Sequence, residues 1–83
     1  MRPAPEVVLL GRDGCHLCDE ARDRLTEISE GGLRFTVREV DIESDPELLS
    51  AHLERIPVIE VNGHEICALG LDEDRLMMSL GSL

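Results

Sequence analysis

Cys15-His16-Leu17-Cys18 is the place in this 83-residue chain where residue type and spacing together point to chemistry. Two thiols three residues apart on a helix bring their Cα atoms within roughly 5–6 Å, inside the range a disulfide accepts. Such a pair can close and reopen with little backbone movement, which is what reversible thiol–disulfide exchange requires. The same spacing is also half of a zinc site. A second half is missing, because Cys67 is solitary and His16, His52 and His64 show no paired spacing. The reading is therefore redox exchange, with no metal site expected.

The elements around the pair sharpen this. Glu6 to Gly11 contains four consecutive aliphatic residues, half of them β-branched, which suits a strand buried on both faces. Arg12-Asp13-Gly14 breaks the strand, and a helix is expected from about Cys15 to Glu30. Leu17, Cys18, Ala21, Leu25 and Ile28 supply its apolar face, and Gly31-Gly32 its stop. Cys15 then sits at a strand-to-helix junction, where unpaired N–H groups and the helix dipole favour thiolate over thiol. Cys18 joins the apolar stripe. The geometry makes Cys15 the exposed nucleophile and Cys18 the sheltered resolving thiol.

Downstream, Leu33 to Ile42 reads as a second strand. Its apolar phase slips between Val37 and Val40, marking either a bulge or the strand's end. Ser44-Asp45-Pro46-Glu47 opens a short helix through Leu48, Leu49 and Leu53, as a capping box or as an Asp cap with Pro first. Pro57 to Val61, Asn62-Gly63 and His64 to Ala68 spell a β-hairpin with a type I′ turn. Asp72 caps a last helix to about Leu80, with Leu71 and Leu76 spaced as a hydrophobic staple and Gly81 closing it. The order β-α-β-α-β-β-α describes an α/β (α+β) domain: a four-stranded mixed sheet with three helices. Cys67, Met77 and Met78 are expected in the core, and His52 and His64 on the surface.

Composition narrows the function classes. The formal charge of −10 and pI near 4.5 argue against a nucleic-acid partner or an anionic membrane surface. The longest apolar run, Val7 to Leu10, is too short to span a bilayer. Residues 1–5, with two prolines, read as a loose tail ahead of one domain over 6–83. A cytoplasmic monomer is expected, and an odd cysteine count does not read as a disulfide framework. Asp13, Asp19 and Glu20 oppose a negative sulfur, whereas Arg12 and the helix dipole support it.

A first βα junction carrying Cys-x-x-Cys, followed by Ile56-Pro57 opening the hairpin, resembles the thioredoxin superfamily. The short length is similar to glutaredoxins and, more narrowly, to a bacterial glutaredoxin-like family of small proteins. The resemblance covers residues 6–80 and implies a thioredoxin-like fold. It implies that Cys15 attacks and Cys18 resolves. It further implies that Pro57 is cis beside the active thiol and that the Ile56 backbone is free to pair with substrate. Arg12 matches a place where glutaredoxins carry a basic residue that can meet a substrate carboxylate. Two departures stand out. His16-Leu17 replaces the usual Pro-Tyr, and His16 reads either as a tuner of the thiolate pKa or as a solvent-facing filler. Leu69-Gly70-Leu71-Asp72 keeps one glycine and the aspartate of the stretch that holds the γ-glutamyl end of glutathione, and Asp72 is equally explained by capping.

The expected function is disulfide reduction with no bound cofactor, regenerated by glutathione or another thiol reductant. The partner is a disulfide-containing protein or a glutathione-type small thiol. The alternatives are a non-catalytic binding or metal-holding module of the same fold, and a redox sensor.

Overall fold

Val7, Val8, Leu9 and Leu10 are all buried, and they place β1 (Glu6–Gly11) inside the sheet rather than at its edge. The computed structural model describes residues 4–81. After β1 come α1 (His16–Glu30), β2 (Thr36–Asp41), α2 (Pro46–His52), β3 (Val58–Val61), β4 (His64–Ala68) and α3 (Glu73–Gly81), in the expected order. The sheet runs β2-β1-β3-β4. β1 pairs parallel with β2 from Glu6↔Thr36 to Gly11↔Asp41, and antiparallel with β3 from Val7↔Val61 to Leu10↔Val58.

Side chains alternate along β1, so it feeds two cores. Val7 and Leu9 join Ala21, Leu25 and Ile28 of α1 and Leu76 of α3. Val8 and Leu10 join Ile42, Ile56 and Val58, with Leu48 and Leu49 of α2 packed against them. Cys18 is carried by α1 yet belongs to this second core. Among the described residues no helix is long and apolar enough to cross a membrane.

Turn chemistry works as the sequence implies. Asn62 and Gly63 take φ of 49° and 86°, the two positive values a type I′ turn requires. Asn62 also clamps the hairpin to β1: its N–H donates to the Glu6 carbonyl at 2.8 Å, and its Oδ1 accepts from the Glu6 N–H at 2.9 Å. Of the two readings at the start of α2, the Asp cap is the one formed. Asp45 Oδ1 accepts from the Glu47 N–H at 2.9 Å with Pro46 first in the helix. Asp72 caps α3 through the Arg75 N–H at 3.1 Å, and Leu71 and Leu76 share the first core.

Several expectations are corrected. β2 is shorter than Leu33–Ile42, and the phase slip marks its end: Ile42 begins a 3-10 turn (Ile42–Ser44) capped by Asp41. Phe35 is buried from the loop before β2 by folding onto the α1 side. The sheet's irregularity lies between Ile59 and Glu60 instead. Pro5 is not loose, because its carbonyl accepts the Thr36 N–H at 2.9 Å; residues 1–3 of the expected tail lie outside the described residues. Met77 and Met78 are exposed, Met78 by 75%, because the helical turn gives the inward face of α3 to Leu76. Leu17 is 48% exposed rather than part of the apolar stripe. His64 is at the surface, but His52 is half-buried, with its Nδ1 shut from solvent and unpartnered among the described residues.

Arg24 of α1 forks onto Glu73 at the start of α3, with Nε at 2.8 Å and Nη2 at 2.9 Å. The guanidinium holds the Glu73 carboxyl below its ordinary value of 4.5. A lowered folded pKa stabilises above the unfolded value, and the benefit is lost as pH falls through the folded one. The urea-midpoint advantage of the native chain over Glu73→Gln is therefore expected to be full above pH 4.5 and to shrink on further acidification. An advantage that grows with acid contradicts the pairing.

Candidate active site

Gly11 ends β1 and α1 begins at His16, so the chain must reverse in four residues at the end of a central strand. Within that turn the Cys15 N–H donates to the Arg12 carbonyl at 3.4 Å. Cys15 then stands outside the helix as its N-cap, with φ −90° and ψ 106°. Its Sγ accepts the Cys18 N–H at 3.2 Å, the bond that a Ser or Asp oxygen makes at an ordinary N-cap. The sulfur thus faces the positive end of the helix dipole, where a negative charge is stabilised.

Cys15 and Cys18 form a disulfide, with Cα atoms 5.2 Å apart. The two sulfurs are not equivalent. Cys15 is half-exposed, whereas Cys18 is buried in the second core. Ile56 packs in that same core, and Cys15 lies against it. The Ile56–Pro57 peptide is cis and Pro57 is fully buried. One step beyond the Leu10↔Val58 pair, the β1–β3 register sets Pro57 across from Gly11. The fold thereby gathers Cys15, Cys18, Ile56 and Pro57 at one end of the central strands.

Arg12 lines a cavity of about 230 Å³ together with Gly11, Asp13 and Cys18. Its guanidinium has no carboxylate partner among the described residues, unlike those of Arg22, Arg24, Arg38, Arg55 and Arg75. His16 is exposed, and its Nε2 meets Glu20 Oε1 at 3.0 Å, one helical turn along. Asp72 stands at the start of α3. Its carboxylate is taken by the α3 cap, and its N–H donates to Cys67 Sγ at 3.5 Å. Cys67 is half-buried against the first core, and burial pushes its thiol pKa up.

Comparison with known proteins bears on this arrangement. A family model described as Glutaredoxin-like domain (DUF836) matches residues 6–81. The chain belongs to this glutaredoxin-like family. The uncharacterized protein Rv0508 of Mycobacterium tuberculosis is 34% identical over 76 residues, covering 87% of this chain and 78% of that one. The solution structure of Ne2328 from Nitrosomonas europaea superposes with a TM-score of 0.83 at 27% identity, covering 96% of this chain and 95% of that one. The oxidised thioredoxin of Plasmodium falciparum, at 18% identity and a TM-score of 0.61, covers 94% of this chain and 79% of its own. At that identity it shows the thioredoxin-like fold alone.

Among the described residues of this glutaredoxin-like domain, no three His, Cys, Asp or Glu side chains converge to hold a metal ion. Charges near the pair are mixed. Arg22 ties Asp19 and Glu39 together, so two of the nearby carboxylates are already neutralised in part.

Sequence reasoning missed Gly11. A Cβ there would stand 2.9 Å from Cys18 Sγ and 3.1 Å from Cys18 Cβ. The missing side chain is the space that lets a helix-borne cysteine reach over the strand end into the second core. The available signal was a glycine closing an otherwise aliphatic strand seven residues before the second cysteine. Gly11→Ala is expected to displace the Cys18 sulfur and cost about 1–2 kcal/mol of stability in the oxidised protein. Urea denaturation of the oxidised chain measures this, and an unchanged midpoint refutes the close contact.

Proposed function

We propose that this chain is a thiol–disulfide oxidoreductase that reduces disulfides in protein or small-thiol partners. The observation carrying this reading is the closed Cys15–Cys18 pair with one sulfur reachable at a helix N-terminus and the other enclosed. In the reduced chain the Cys15 thiolate attacks one sulfur of a substrate disulfide. A mixed disulfide forms, and the first substrate thiolate leaves. Cys18, its proton lost to solvent, then attacks Cys15 Sγ. The second substrate thiolate departs and the intramolecular disulfide closes. Two electrons have passed from the dithiol to the substrate.

No bound cofactor enters these steps, but the disulfide must be reduced again by an external thiol, glutathione or another. The cytoplasm, where such reductants are maintained, is the proposed compartment, and the chain acts as a monomer. Ile56 and Pro57 flank the reacting sulfurs, and the Ile56 backbone is the proposed seat for substrate main chain. Arg12, unpaired beside the cavity, supports the Cys15 thiolate and can receive a substrate carboxylate. His16 adds positive charge at the helix start when protonated, shared with Glu20. Asp72 contributes by holding the start of α3 next to this surface.

Cys15→Ser is expected to lower disulfide reduction at least about 100-fold, since Cys18 is enclosed and Cys67, in β4, has no helix start to stabilise its thiolate. Cys18→Ser should instead accumulate a mixed disulfide on Cys15, read as an adduct by mass spectrometry. Full activity in Cys15→Ser refutes the assignment of roles. In the reduced chain, alkylation near neutral pH should modify Cys15 ahead of Cys18 and Cys67, because Cys15 caps the helix, Cys18 is enclosed and burial pushes the Cys67 thiol pKa up. Equal labelling of all three refutes an activated thiol.

A further inference from the structure

Two residues past Cys15, Leu17 forms one wall of a groove of about 190 Å³ between α1 and the link from β4 to α3. Ala21 and Leu71 complete its apolar lining, and Glu20, Arg24 and Glu73 stand at its rim. A groove of this size takes one aliphatic side chain rather than a whole small molecule.

Two exposed leucines, one in the groove wall and one beside it, have no packing role in the core. Leu17 is 48% exposed although it lies on a helix with an otherwise well-formed apolar face. Leu69, which precedes the lining residue Gly70, is 63% exposed and holds φ at +64°. Leucine is disfavoured in the left-handed region, and here neither burial nor backbone preference accounts for it.

The rim's charge says what the groove takes. Arg24 is its one cation, and its fork is engaged: Nε and Nη2 bond Glu73, and Nη1 bonds Glu27 at 3.0 Å. No guanidinium fork is left for an incoming carboxylate. Glu20 has only His16 as partner among the described residues. The rim is net negative, in a chain of net charge −10.

We infer that the Leu17–Leu71 groove selects peptide disulfides with an aliphatic residue and a cationic residue next to the reacting cysteine, and disfavours glutathione disulfide. The aliphatic side chain fills the groove, and the lysine or arginine faces Glu20 at its rim. Glutathione brings carboxylates to a groove whose one arginine fork is already held by Glu73. This inference rests on the oxidoreductase reading and names the substrate class of the same site.

Two blocked peptide disulfides provide the test: the dimers of acetyl-Leu-Cys-Lys-Lys-amide and of acetyl-Leu-Cys-Glu-Glu-amide. With the reduced full chain at low salt, kcat/KM should favour the cationic peptide by about tenfold. The ratio should shrink toward one at roughly half-molar salt, where exposed charges are screened. Glutathione disulfide should be slower than the cationic peptide. Glu73→Gln frees the Arg24 fork and should lower the peptide ratio and raise the glutathione disulfide rate. Leu17→Ser should slow the cationic peptide several-fold. Leu17 is 48% exposed and outside the core, so misfolding does not account for the loss. Equal rates for the two peptides, or preference for the acidic one, overturn the inference. Uncharged hydroxyethyl disulfide separates the two levels: if it is not reduced, the oxidoreductase reading itself has failed. Binding of the serine-for-cysteine peptides to the oxidised chain then judges the groove, and it fails if the cationic peptide binds no better than the acidic one.

Discussion

A helix that starts at the end of a buried strand needs an acceptor for its first N–H groups, and in this chain that acceptor is a sulfur. Cys15 Sγ takes the Cys18 N–H, so the cap of α1 and one half of the disulfide are the same atom. A neutral thiol is a poor acceptor and a thiolate a good one. Stabilising the helix start and stabilising the ionised sulfur are therefore one interaction. The rest of the fold serves to hold α1 at the height where that bond forms.

β1 does most of this. Its alternating side chains lock it between two cores, so its end at Gly11 is a fixed point from which the turn to α1 is measured. Gly11 then does by absence what other residues do by contact. With no Cβ in the way, Cys18 drops into the core of Ile56 and Val58, and the pair becomes one reachable and one enclosed sulfur. The asymmetry that exchange chemistry uses is thus a packing result, not a property of the two cysteines.

The acid excess is managed by arginine, the only cationic residue type in the chain besides histidine. Arg24 ties α1 to α3, Arg22 ties α1 to β2, and Arg55 ties the end of α2 to β4. Arg24 forks onto Glu73, and Arg22 and Arg55 each make one bond to a distant element. Such exposed pairs add little stability singly. Their larger effect is on recognition, since they decide which cations remain free near Cys15. Arg12 does, and Arg24 does not.

The amino-acid sequence alone determined the element order, the Asn62-Gly63 turn, the Asp45 and Asp72 caps and the place of the cysteine pair at a strand-to-helix junction. These follow from periodicity, caps and turn preferences, which act within a few residues. It also determined that β1 is buried on both faces, because four aliphatics in a row leave no solvent side. What it left open was settled by contacts between distant segments. The slip after Val37 became a strand end only because Ile42 finds the second core. Leu17 is exposed because α1 needs only Ala21, Leu25 and Ile28 to cover the first core, and Met78 because Leu76 already fills the inward face of α3. His52 was turned partly inward by its neighbours at the end of α2. The fit of Cys18 over Gly11 joins a helix to a strand end through a missing atom, and one-dimensional patterns carry no record of which empty space a folded chain will use.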